Sequence, residues 1–211
     1  MKILLYAACM LLMISGVSAM PQSELNEIQH AWAVANYQTP EEQQEAAFEK
    51  LVARARDLVK RYPDEAAPKV WLAIVLSTDA GVNGGLGALG KVKEARRLLE
   101  AAEKMDPMTL NGSIYTSLGS LYYQVPGWPI AFGNDEKAEQ YLKKALQINP
   151  GGIDPNYFYA DYLLENDQPG KALEYLRKAL AAPARPDRPI ADQGRRKEVE
   201  QAMTRARKML D

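Results

Sequence analysis

The chain has one cysteine, Cys9, and one histidine, His30. Cys9 falls in a leading apolar run. Past that run there is no thiol for a disulfide, for thiol chemistry or for a thiolate metal site. A zinc site needs several strong ligands, and one histidine without cysteine does not supply them. A serine–histidine–acid triad would have to use His30, on a helix face beside Trp32. We read that histidine as structural and expect no catalytic residue, no metal and no cofactor. Charge excess is also missing: 26 basic against 27 acidic residues give a formal net charge of -1. This argues against nucleic acid or an anionic membrane as the main partner. Stability must come from packing, and 211 residues, 47% hydrophobic, suffice for one core.

The N-terminus reads as an address. Lys2 supplies a positive start, Ile3 to Ile14 is uncharged and mostly apolar, and Val17-Ser18-Ala19 offers small residues for cleavage. The run is short for a membrane span, and polar sequence follows. We expect residues 1–19 to be a cleaved export signal and residues 20–211 to be a single periplasmic helical-repeat domain. Membrane contact is expected only through the signal.

The helical pattern is clearest between Tyr115 and Pro150. Tyr115, Leu118, Gly119 and Tyr122 mark one helix face. Ala138, Leu142 and Ala145 mark a second, which ends before Pro150. Gly119, Ala138 and Ala145 are small where two helices would approach closely. The second spacing recurs in Ala95, Leu99, Ala102 and Pro107, in Ala172, Leu176 and Ala179, and in Leu51, Ala55, Leu58 and Pro63. These copies resemble the tetratricopeptide repeat family. The resemblance implies an all-α, right-handed superhelix of antiparallel hairpins. The repeats are a degenerate one at 22–63, full ones at 66–107, 112–150 and 154–184, and a C-terminal capping helix at 189–210. Thr39 and Asp154 read as N-caps before Pro40 and Pro155.

Ala160 to Ala172 spans 12 residues, whereas Ala73 to Ala95 spans 22 and Gly119 to Ala138 spans 19. Two repeats thus carry inserts at the turn between their helices, and stacking should place the inserts side by side. The first, Asp79 to Gly90, contains Gly85-Leu-Gly87-Ala-Leu-Gly90 before Lys91. That matches phosphate-loop spacings, but a helix precedes it and Val92 replaces the needed hydroxyl, so we read a tight packed loop. The second insert carries Trp128 and Phe132, which either plug the core or form a lip over the groove.

In the family, the first helix of each pair lines a concave groove. Carried onto this chain, the groove positions are Val70, Ile74, Ser77 and Thr78, then Thr116, Ser120, Tyr123 and Gln124, then Tyr157, Asp161, Leu164 and Glu165. The candidate binding residues are therefore Thr116, Ser120, Tyr123, Gln124, Trp128, Phe132, Tyr157, Asp161 and Glu165. The family's basic clamp for a peptide carboxylate is missing: Val70, Ile74, Ser117, Asp154 and Phe158 stand at its positions. The resemblance implies a non-enzymatic scaffold that binds a protein or peptide partner, another copy of the chain included. The inserts are also similar to those of the periplasmic component that accompanies some TRAP-type, solute-binding-protein-dependent transporters. That implies the alternative of an accessory protein binding a small ligand. A hydrolase built on His30, Asp161 and Glu165 is a third, weaker reading.

Overall fold

The computed structural model describes residues 19–211, so all of the expected export signal but Ala19 lies outside the described residues. Nine α-helices follow in order among the described residues. They are α1 (Gln22–Tyr37), α2 (Glu41–Arg61), α3 (Ala66–Asn83), α4 (Gly85–Met105), α5 (Ser113–Gln124), α6 (Asp135–Ile148), α7 (Ile153–Glu165), α8 (Pro169–Leu180) and α9 (Pro189–Lys208). None of them is long and apolar enough to cross a membrane. Consecutive helices pair, and α1, α3, α5 and α7 also stack on one another. This is the all-α hairpin stack expected from the spacing.

The recurring positions are the core. Leu51, Ala55 and Leu58, Ala95, Leu99 and Ala102, Ala138, Leu142 and Ala145, and Ala172, Leu176 and Ala179 are all buried. Burying such apolar side chains stabilises the fold by about 1.5–3 kcal/mol for each large one. The two helices of the α5–α6 hairpin approach closely. A Cβ on Gly119 would sit 2.5 Å from Leu142 Cγ and 3.2 Å from the Ala138 carbonyl oxygen. Glycine there sets the distance between the two helices.

Two expected caps are built differently. Asp154 lies inside the first turn of α7, with Gly152 at the N-cap position, and its carboxylate faces arginines of the C-terminal segment. Thr39 does not cap α2 either. Its hydroxyl donates to the Val34 carbonyl at the end of α1, 3.1 Å away.

The two inserts differ from each other. The expected loop at Asp79–Gly90 is mostly helix: α3 runs on to Asn83, α4 starts at Gly85, and Gly84, with φ 53°, separates them. The extra turns are held by buried Asp79, which pairs with Lys91 at 2.7 Å and accepts from Asn83 Nδ2 at 2.5 Å. The second insert, from Val125 to Asn134, is irregular. Pro126 and Pro129 cannot donate backbone hydrogen bonds. Its base is pinned by Asn134 N donating to the Tyr122 carbonyl at 2.8 Å.

Helix α9 caps α8, as expected, and also reaches back to α7 and α1. Ala191, Asp192, Arg195, Val199, Ala202, Met203 and Ala206 are its buried face. Leu210 is exposed beyond the helix end. The return is set by Gly194, where a Cβ would run into the Tyr37 ring.

Candidate functional site

The return of α9 bridges the concave side and leaves a cavity of about 480 Å³. Its wall comes from the first helices of successive pairs: Trp32 of α1, Trp71 and Ile74 of α3, Thr116 and Ser120 of α5, Tyr157 and Phe158 of α7. Both inserts contribute, Ala88 and Leu89 from the first, Val125 and Pro126 from the base of the second. The expected groove residue Val70 is instead fully buried behind this wall.

The candidate residues divide into three groups. Thr116, Ser120, Gln124 and Tyr157 line the cavity. Tyr123, Asp161 and Glu165 form a seam between α5, α7 and α9 instead. The Tyr123 hydroxyl donates to Asp161 at 2.7 Å, Arg205 donates to the same carboxylate at 2.6 Å, and Glu165 pairs with Arg205 at 3.3 Å. Burial first, and then the neighbouring Asp161 carboxylate, push the Tyr123 phenol well above its ordinary pKa. Arg205 of α9 thus engages both carboxylates of the acidic pair. His30 is exposed on α1 and is not among the partners of either carboxylate, so the three hydrolase residues are not brought together.

Trp128 and Phe132 part company. Phe132 folds back, edge-on to Tyr122 at 5.5 Å and beneath the Arg96 guanidinium at 4.4 Å. Trp128 stands at the tip of the insert with 89% of its surface exposed, beside exposed Ile130.

The cations of the site come from outside the repeats. The equivalent clamp positions carry no basic residue, yet Arg188 and Arg195 reach the cavity from the C-terminal segment. Arg195 donates to Asp154 at 2.9 Å and to Glu198 at 2.6 Å, and its guanidinium lies over the Tyr157 and Phe158 rings at 4.5 and 4.6 Å. Arg185, just outside, binds Asp154 at 2.7 Å and Asp192 at 2.6 Å. The Tyr37 hydroxyl completes the network by donating to Glu198 at 3.3 Å. Burial alone would raise the Asp154 carboxyl, but Arg195, Arg185 and Arg188 outweigh it and hold it at about 2. Burial pushes Tyr157 up to about 12 against the pull of Arg195. Burial likewise raises Glu198, more than Arg195 and Tyr37 lower it. The visible hint was the run of arginines around Pro183–Pro189. Their direction depends on where α9 docks.

Among the described residues, no group of three or more histidine, cysteine, aspartate or glutamate side chains could hold a metal ion.

Comparison with known proteins agrees with the geometry. Residues 130–190 match the family profile described as "Tetratricopeptide repeat". A thermophilic tetratricopeptide-repeat protein of Thermus thermophilus superposes with a TM-score of 0.57 at 17% identity, over 87% of this chain and 98% of that one. A second solved structure, pilF of Pseudomonas aeruginosa, is 16% identical over 89% of this chain and 90% of its own, with a TM-score of 0.36. No curated protein matches. The profile match puts a tetratricopeptide repeat at residues 130–190, and the likeness to the Thermus structure shows that the chain has the fold of such repeats. Stacked helical repeats of this kind present extended concave binding surfaces.

Proposed function

We propose that the protein is a non-enzymatic binding module that works in the periplasm after export, and that its site is the cavity beneath α9. The observation that carries this is convergence. Thr116, Ser120, Gln124 and Tyr157, chosen as groove residues from two repeats, share one cavity with Trp71, Arg188 and Arg195. The two carboxylates on the wall, Asp154 and Glu198, are both held by Arg195, which suits recognition better than proton transfer. The α9 bridge shortens the usual open groove. The occupant is therefore compact, a short segment of a partner or a small ligand, and not a long helix laid along the stack.

The test is a photoreactive side chain placed at Ser120 in the native cell, with exposed Lys50 on the outer helix α2 as control. An adduct at 120 and none at 50 is the expected result. Equal labelling at both positions would overturn the assignment of the site. Export is tested separately by the mature N-terminus, expected at Met20. A chain starting at Met1 in a periplasmic fraction contradicts it.

A further inference from the structure

We infer that the cavity takes a small organic monoanion, a carboxylate on an apolar or aromatic body, seated on Arg188 against Trp71. This rests on the cavity being the binding site and names the chemistry of its ligand.

Arg185 and Arg195 each hold two carboxylates. Arg188 lines the cavity, has no carboxylate within ion-pair distance among the described residues, and has a buried Nε with no hydrogen-bond partner. An unpartnered buried donor costs about 1–3 kcal/mol, more when charged. Beside it is a second orphan. The Arg188 guanidinium carbon lies 5.1 Å from the Trp71 ring centroid, and the Trp71 indole N–H is also buried without an acceptor. The neighbouring indole shows the contrast: Trp32 donates to Thr78 Oγ1 at 2.9 Å. Among the described wall residues Arg188 is the cation without a carboxylate of its own, and its guanidinium beside Trp71 is where an acceptor carrying negative charge would sit.

The rest of the wall limits the ligand further. Ile74, Leu89, Leu121 and Phe158 offer apolar surface for a body. The volume of about 480 Å³ is that of a small-molecule site. Asp154 and Glu198 also face this space, and their charge would repel a dianion such as a phosphate monoester while one guanidinium offsets a single negative charge. A cation fits worse, because both carboxylates are already engaged by Arg195.

The probes are phenylacetate and hexanoate, each with its neutral amide, tested against the purified mature chain at neutral pH by thermal shift and calorimetry. The acids are expected to raise Tm and the amides not to. Arg188→Gln should weaken the acids by about tenfold or more. Trp71→Phe should weaken them by a few-fold, and Ser120→Trp, which fills the cavity, should abolish binding. Equal binding of the amides, an Arg188→Gln variant with unchanged affinity, or no response to either acid would overturn the monoanion. If neutral probes bind and Ser120→Trp removes them, the cavity stands as the site and only the charge assignment falls. If Ser120→Trp leaves binding of the acids intact, the site itself is wrong.

Discussion

The α5–α6 hairpin and helix α9 are both buried against the same stack, but they are held by different forces. The hairpin is apolar and periodic. Gly119 lets Leu142 in, and Tyr115, Leu118 and Ala138 close around it with almost no exposed surface. Helix α9 is mostly charged, and two of its buried side chains, Asp192 and Arg195, are ionic. Its docking depends on carboxylates supplied by α7 and on a gap at Gly194 that admits the Tyr37 ring. The hairpin tolerates no change of volume. The α9 junction tolerates no loss of a charge partner. This places an ionic junction over the cavity and an apolar, close-packed one behind it.

Three substitutions separate these cases. The largest effect is expected in the hairpin: Leu142→Ala should cost about 2–5 kcal/mol in urea unfolding, through lost contact and a cavity, while leaving α9 protected from hydrogen exchange relative to the destabilised whole. A loss below about 1 kcal/mol would mean that the hairpin is not close-packed around Leu142. Next comes the charge network. The folded Asp154 carboxyl, at about 2, lies below its ordinary value of 3.8, so its stabilisation is present above pH 4 and fades as pH falls towards 2. Asp154→Asn should remove on the order of 2 kcal/mol at neutral pH and flatten the acid limb of the stability curve between pH 4 and 2. An unchanged acid limb would show that another group controls it. The smallest effect on stability is at Gly194→Ala. The added Cβ meets Tyr37, a clash worth about 1–3 kcal/mol, but alanine regains about 0.5–1 kcal/mol of helix propensity. A net loss of about 1 kcal/mol is expected, confined to faster hydrogen exchange in α9 and α1. Faster exchange across all helices would refute a local junction.

The hairpin was readable because its partners lie close in the chain and obey one period. Tyr115, Leu118 and Gly119 face Ala138, Leu142 and Ala145 whatever the rest of the protein does. The same holds for Thr116, Ser120, Gln124 and Tyr157, whose repeat positions carried them to the cavity wall. Tyr123, Asp161 and Glu165 had equally good repeat positions, and they were lost to the groove because Arg205 came from outside the repeats to occupy them. The first insert was misread because Asp79 and Lys91 pair only when α3 and α4 both lengthen. The second kept its prolines and stayed irregular, so Trp128 was left outside while Phe132 turned in.

By itself the chain's order of residues determined a stack of helical hairpins, since period and small-residue spacing act locally and each pair buries its own face. Only the tertiary structure decided that α9 would come back to α1 and that the groove would become a cavity. It also decided that Arg188 would lie in the cavity wall without a carboxylate. Those outcomes depend on charges and on one glycine gap between segments far apart in the chain, Tyr37 and Glu198 being separated by 161 residues, and no short-range pattern encodes them.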